Sequence, residues 1–581
     1  MKVRIPKDLK GASYPVVMTI EFNNFSADMF LPALFLKIMS GGRLRLRGKN
    51  DETAIGMYVE KLANHALLTG FRTPDGRRVL EKFVRTALIT TGAVGEAKRG
   101  EQISALMPFS LLCYKPGFPS EGRRQRGVDT FLYYVLREQL RAGASIVEAQ
   151  VDLKAKIVSL FGEGLEFDKT PNSIDAAYDG HANLDILTRM SLAFIDGFDG
   201  TRPGRESESS KPSPCPALAT QLAQDIFLFL NTYSKRMPSQ ALTYYFQALI
   251  SFEMYSYSLR LATAVNALVR NPDELPLGMR DVSENSDPLI YLDFTGRQRH
   301  LSGQMAAECV RRDVETFQQF FRSMLQLRWL DKQVARFRRS ASTRLAVERI
   351  LQGNSNGAAY LQSMLQMREN PDLKYSFNAA AQQDIASIHA ATLPNTEESD
   401  KTESRWLDEI TEPARTDIDQ LVLLLEEGQR QSYLSHYISW ITGAGGMSKT
   451  YGLLNGISRQ RRTWRYAPGN DLLSLFVQLA TAHAIPQGHL KNGGAAPQKI
   501  RLQDFLLFLE QRYGIIVDRP PPGIHGAEYS AAARDNLRAM LSRLRQMGIF
   551  TDLSDDFTVQ RLRPPYGDSM TTGEEQGSWI S

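Results

Sequence analysis

SAAARDNLRAMLSRLRQMGIF, residues 530–550, is the stretch on which the reading of this chain turns. Its spacing predicts a helix over 530–547, with Leu537, Met540, Leu541, Leu544 and Met547 on one face. Gly548 is placed to end it. Arg534, Arg538 and Arg545 stand at i, i+4 and i+11. At about 100° per residue they fall within ~40° of one another, beside the apolar face. Downstream, residues 549–551 and 557–563 flank Ser554-Asp555-Asp556 and predict a hairpin. Arg561 and Arg563 alternate with Leu562, so both face outward from it.

Upstream, residues 470–483 predict a first helix, capped by Asn470 and buried through Leu472, Leu473, Phe476, Val477 and Leu479. A glycine-rich loop over 486–498 follows. A second helix over 502–513 ends at Gly514, then comes a short strand over 515–517 and a loop holding Pro520, Pro521 and Pro522. Three helices and a two-stranded wing, over 468–566, are the order of a winged helix. In that fold one face of the third helix is held by the domain, and the neighbouring face carries guanidinium groups to phosphates or base edges. The alternative use of the same module is docking against another protein, with the arginines merely solvated.

Just before the module, Arg459, Arg461, Arg462 and Arg465 interleave with Trp464 and Tyr466. Arginine binds phosphate, and aromatic rings stack on bases. The same residues also fit a linker anchored by its two aromatics. Gly443-Ala444-Gly445-Gly446-Met447-Ser448-Lys449-Thr450 resembles a phosphate loop only superficially, because Ser448 stands where glycine must precede the lysine and a helix, not a strand, leads into it. It reads as a flexible hinge. A helix over 302–351 carries many arginines, among them Arg311, Arg312, Arg322, Arg328, Arg338 and Arg349; a solvated face is the ordinary explanation and a phosphate-tracking surface the alternative. Arg43, Arg45, Arg47 and Arg123, Arg124, Arg126 form shorter basic runs of the same kind.

At 581 residues the chain exceeds one ordinary core, so several domains are expected. The expected layout is a mainly helical N-terminal region with short strands (1–196), a Pro/Ser-rich linker (197–216), a long-helix middle (217–393) and a polar linker (394–404). A helical connector (405–467), the winged helix (468–566) and a disordered tail (567–581) complete it. The fold class is thus mainly α and multidomain. Strands are expected over 16–22 and 288–294, and helices over 26–39, 51–68, 76–88, 129–141, 145–160, 217–230, 239–270, 405–425 and 432–442.

Hydrophobic content of 43% and charged content of 23% exclude a disordered or fibrous chain. A net charge of +5 is compatible with a nucleic-acid partner without demanding one, so local clustering decides. Cys113, Cys215 and Cys309 lie far apart, which offers neither a zinc site nor a disulfide framework. No apolar run approaches the ~20 residues of a spanning helix, and the N-terminus is not a secretory signal. A cytoplasmic protein without membrane contact is expected. His181, Asp196 and Asp199 match no defensible ligand spacing, and no catalytic, cofactor or metal site stands out.

Tyr451-Gly452-Leu453-Leu454, Arg461-Arg462-Thr463-Trp464-Arg465-Tyr466, Asn470-Asp471-Leu472-Leu473, Tyr513-Gly514-Ile515, Asp518-Arg519-Pro520 and Asp552-Leu553-Ser554-Asp555 resemble phrases in a group of bacterial proteins. These occur in multi-gene antiphage clusters, including the methylation-associated defence systems. The resemblance covers roughly the last fifth of the chain. It implies a helper subunit beside a methyltransferase, ATPase or nuclease, and it transfers no active-site residue. The expectation is therefore a non-enzymatic DNA-binding adaptor subunit that contacts DNA through Arg459, Arg461, Arg462, Trp464, Arg465, Arg534, Arg538, Arg545, Arg561 and Arg563. The alternatives are a protein-only scaffold and a metal-dependent nuclease with a site scattered in sequence.

Overall fold

A computed structural model describes residues 2–11, 13–27, 30–46, 51–64, 69–90, 103–106, 111–115, 126–141, 143–168, 173–179, 201–203, 212–280, 289–393, 400–486, 497–550 and 560–567. The chain is mainly helical. In order the helices are α1 Leu31–Ser40, α2 Asp51–Ala63, α3 Pro74–Ala87, α4 Val128–Arg141, α5 Ile146–Phe161, α6 Pro216–Tyr233, α7 Ser239–Arg270 and α8 Leu301–Phe337. They continue as α9 Arg344–Leu351, α10 Gly357–Met367, α11 Pro371–Thr392, α12 Asp400–Thr411, α13 Asp417–Ala444, α14 Asn470–His483, α15 Leu502–Tyr513 and α16 Ala527–Gln546. The strands are short and pair in twos: β1 Leu44–Leu46 with β6 Thr201–Pro203, β2 Leu88–Thr90 with β3 Ile103–Leu106, and β4 Leu165–Phe167 with β5 Ala176–Tyr178. The others are β7 Ile290–Tyr291 with β11 Ile515–Ile516, β8 Leu454–Asn455 with β9 Arg465–Tyr466, and β10 Ile500–Arg501 with β12 Arg561–Leu562.

Local chemistry sets most boundaries. Gly41 ends α1 in the left-handed region at φ 60°, as the glycine pair predicts. The start at Ser26 does not hold; α1 begins at Leu31 with a proline in its first turn, where the missing N–H costs no helical bond. Ser145 and Glu148 form a reciprocal cap on α5. The helix expected over 302–351 is two, α8 and α9, with Thr343 Oγ1 donating to Phe337 O (2.8 Å) across the break. The helices expected over 405–425 and 432–442 are divided differently. Pro413 follows the end of α12, and Thr416 then caps one continuous α13 by accepting from Asp419 N–H (3.1 Å).

Residues 16–22 are not a strand. Val17 and Met18 N–H both turn back to Tyr14 O. Phe22 packs against Phe317, Tyr437 and Trp440, with ring centroids 5.7, 5.2 and 5.0 Å away. A segment threaded through a core between α8 and α13 has the same apolar composition as a buried strand, so sequence alone does not separate them. Within 197–216, expected as a linker, Thr201–Pro203 pairs antiparallel with Leu44–Leu46, and Ser213 Oγ lies 2.6 Å from Tyr257 OH.

Buried apolar side chains from Val3 to Leu562 form one contiguous cluster. α7 lies at its centre. It is buried on every face, the mark of an interior helix, and packs against α6, α8, α13 and α14.

Two polar clusters help hold the C-terminal elements to this body. At the first, β11 lies parallel to β7, with Ile515 opposite Ile290 and Ile516 opposite Tyr291. Asn536 of α16, fully buried, closes that pair. Its amide nitrogen donates to Leu292 O (2.7 Å) and Val517 O (3.0 Å), and its oxygen accepts from Phe294 N–H (2.6 Å). At the second, Asp225 of α6 is fully buried. It accepts from Arg512 Nε (2.8 Å) and Tyr513 OH (2.8 Å), and lies 2.7 Å from His483 Nε2. Gln221 Nε2 (2.7 Å) and Arg260 Nη2 (2.9 Å) donate to Arg512 O.

Glu253 of α7 lies beside this cluster. Burial, reinforced by the Asp225 charge, pushes its carboxyl well above its ordinary 4.5. The folded protein therefore keeps a proton there that the unfolded chain releases. The associated stability is fully present below about pH 4.5 and is lost as pH rises through the folded value. Glu253→Gln, which cannot ionise, is expected to fold and to flatten the decline of the urea midpoint on the alkaline side. A variant whose midpoint declines as steeply as the parent's would show that the proton sits elsewhere.

Candidate nucleic-acid interface

α16 buries Ala532, Ala533, Asn536, Met540, Leu541 and Leu544 and turns Arg534, Arg538 and Arg545 to solvent. Arg538 lies 3.0 Å from Asp535, both well exposed. Such a surface pair contributes little and is readily exchanged for another anion. The Arg545 guanidinium rests over the Phe550 ring at 4.8 Å from its centroid. Arg543 points the other way: it donates to Pro468 O (2.8 Å) and covers Phe294, so it anchors the helix.

Beside α16 lies a small antiparallel arrangement. Ile500 stands opposite Leu562 and Arg501 opposite Arg561. Phe550 bridges to Leu562, and Arg563 N–H donates to Ile549 O (2.7 Å). Ile500, Phe550 and Leu562 face inward, while Arg501, Arg561 and Arg563 are exposed. Directly opposed residues hold their Cβ atoms about 4.5–5.5 Å apart, so two guanidinium groups share one outward face. Arg501 escapes the sequence reading. Its only signal is the alternation Ile500-Arg501-Leu502 just ahead of a helix, too short to register as a strand. Residues 551–559, which hold the expected turn, lie outside the described residues.

The basic-aromatic run divides. Trp464 is buried, and its only donor, Nε1, is satisfied by Ile457 O (2.9 Å). Tyr466 is buried too, donating to Asp313 Oδ2 (2.7 Å) and meeting Tyr255 OH (2.6 Å). Trp464 is therefore corrected from a stacking surface to an anchor, since no ring face is offered to a base. Arg465 also turns inward, 3.4 Å from the fully buried Asp293. There it balances a charge that would otherwise be stranded. Arg459, Arg461 and Arg462 stay on the exposed surface.

The glycine loop is no hinge. A Cβ at Gly443 would lie 2.4 Å from Phe25 O, and one at Gly446, already at φ +63°, 2.8 Å from Gly452 Cα. Leu453 and Leu454 N–H both donate to Gly445 O (2.9 Å). The glycines permit close packing in a locked turn. The arginine-rich helices spend many of their cations internally, in Arg322–Glu426 (2.6 Å), Lys332–Asp8 (3.1 Å), Arg338–Glu348 (2.8 Å) and Arg349–Asp372 (2.9 Å). Arg328 binds Lys10 O (2.7 Å). His181, Asp196, Asp199, Arg47, Arg123, Arg124, the 394–399 stretch and residues 568–581 lie outside the described residues.

Fold and surface together define a mainly α-helical protein with a basic C-terminal face. Over residues 7–566 the chain matches the family model of methylation-associated defense system protein MAD7, and it belongs to that family. The match carries the resemblance from the C-terminal phrases to nearly the whole chain. No curated protein and no solved structure matches it. Family membership gives the chain a role in a methylation-associated defence system and makes other components of that system its natural partners. Among the described residues, no helix is long and apolar enough to cross a membrane.

Proposed function

We propose that residues 468–566 form a winged helix and that the chain is a non-enzymatic DNA-binding adaptor subunit of its defence system, acting in the bacterial cytoplasm. The helical body docks other components, such as a methyltransferase, ATPase or nuclease. One observation carries this reading: Arg534, Arg538 and Arg545 of α16 and Arg501, Arg561 and Arg563 of the adjoining sheet are all exposed, while the opposite sides of both elements are sealed into the core. The order α14, β10, α15, α16 and then β12, with β12 returning to β10, supports it. In winged helices the third helix enters a groove and the flanking hairpin meets phosphates. Guanidinium groups suit both contacts, because they bind phosphate and guanine edges in bidentate fashion.

Fluorescence anisotropy on duplex DNA across a salt series tests the reading. R534A/R538A/R545A is expected to weaken binding about 10-fold or more at low salt. It should also reduce the log–log salt slope by about 0.9 for each phosphate no longer neutralised. Parent protein that fails to bind at low salt would remove the DNA reading, and a triple variant with the parental slope would remove α16 as the DNA contact. Cleavage of the DNA by the purified chain with a divalent metal would remove the non-enzymatic one.

A further inference from the structure

Two loops far apart in sequence meet beside the start of α8. Gln298 Nε2 donates to Arg462 O (3.3 Å), and Arg465 Nη2 donates to Gly296 O (3.4 Å). The first loop presents Arg297 and Arg299 to solvent, and the second presents Arg459, Arg461 and Arg462. Neither 294–307 nor 456–470 contains an aspartate or glutamate. Three acids border these stretches: Asp293 is fully buried and already engaged by Ser302 Oγ (2.7 Å), Thr295 Oγ1 (2.7 Å) and Arg465, Glu308 pairs with Arg311, and Asp471 accepts from Tyr244 OH (2.6 Å). Among the described residues, Arg297, Arg299, Arg461 and Arg462 form no salt bridge with a carboxylate. Positive charge is thus gathered on one surface with no acid inside either stretch, and a polyanion relieves the resulting self-repulsion.

The surface is also rigid. The second loop is held by the β8–β9 pair, by the buried Trp464 and Tyr466, and by the bond from Ile457 N–H to Thr463 Oγ1 (2.8 Å). Its chemistry favours phosphodiesters over an acidic protein. A protein interface centres on desolvated aromatic or apolar anchors, and both aromatics here are buried, leaving Ile457 as the exposed large apolar residue of these loops. Arginine without such an anchor suits a repeating phosphate backbone.

We propose that Arg297, Arg299, Arg459, Arg461 and Arg462 form a second nucleic-acid backbone site, separate from the arginine face of α16. This rests on the DNA reading above. Arg543 separates the two surfaces: it contacts Pro468 and Phe294, which adjoin the two loops, and it lies about 180° around α16 from Arg534. The DNA path therefore extends past both sides of α16, and the loops hold phosphates without reading bases.

The test uses the full chain and a labelled random-sequence duplex over a salt series. R297A/R299A/R461A/R462A changes only exposed side chains and is expected to keep the parental thermal midpoint. The salt slope should fall by about 2–3.5, at about 0.9 per phosphate, while the four-lysine counterpart keeps most of it. Combined with R534A/R538A/R545A, the losses should add. Parental slope and affinity in the alanine quadruple would overturn the proposal, and parental DNA binding with lost binding to a purified component of the same system would assign the surface to protein docking instead. If the quadruple loses binding while the α16 triple does not, the loop site stands and the recognition-helix reading falls. The reverse result retains the helix and removes the loops.

Discussion

Replacing Asp225 with alanine is expected to destabilise the protein by about 3–5 kcal/mol, the usual cost of breaking a buried ion pair by removing one partner. The carboxylate is fully buried and is met by Arg512 through Nε (2.8 Å) and Nη2 (2.7 Å), by Tyr513 OH and by His483. Without it, the half-buried Arg512 guanidinium loses its directly bonded carboxylate, leaving Glu253 as the neighbouring acid. The pH dependence supplies a second reading. Burial alone would raise the Asp225 carboxyl, but the His483 hydrogen bond and the Arg512 charge outweigh it and hold the group below 3.8. Its stabilisation is present above that value and is lost as pH falls through the lower folded one. Asp225→Asn should therefore show a flatter acid limb in urea titrations. Replacing the pair together, D225L/R512M, should recover part of the loss, since apolar substitutes for a buried pair are often tolerated. An alanine variant within about 1 kcal/mol of the parent would mean that the partly exposed Arg512 is solvated well enough to stand without its carboxylate.

The second large effect is expected at Asn536. Asn536→Leu keeps the approximate volume and removes three hydrogen bonds, leaving Phe294 N–H, Leu292 O and Val517 O without that partner. Each buried group left unsatisfied costs about 1–3 kcal/mol, so a total of about 3–5 kcal/mol is expected, with imperfect additivity. Asn536→Asp separates the contributions. It still accepts from Phe294 N–H but turns a carboxylate toward two carbonyl oxygens, and should be at least as damaging as leucine. A lowered urea midpoint with an unchanged m-value is the expected signature. A leucine variant with the parental midpoint would show that the β7–β11 pair holds without its amide clamp.

Much of the helical frame is legible in the sequence, because its signals are local. Ser145 and Glu148, Gly41, Gly514 and Gly548 mark ends through the turn they themselves occupy, and the α16 arginines advertise their face by spacing alone. Paired roles are not local. Asp225 reads as an ordinary mid-helix acid until Arg512 arrives, 287 residues later. Trp464 and Arg465 look like ligand-facing groups until Asp293 and the core beneath them are known. Residues 16–22 have a strand's composition but no strand to pair with among the described residues. Arg501 emerges only from its register opposite Arg561.

The parallel pairing of β7 with β11 has a consequence for how the protein is made. Phe294 and Asn536 stand 242 residues apart, so the ribosome delivers one long before the other. During that interval the edge of β7 and the charge of Asp225 wait without their partners. Contacts of such long range are slow to form, and an unpaired strand edge meanwhile invites wrong partners. Shortening the chain from its C-terminus is accordingly not the removal of an appendage. A stop codon ahead of Arg512 would leave an open strand and an unbalanced carboxylate in the middle of the body, and the resulting fragment would be a substrate for proteases rather than a smaller version of the protein.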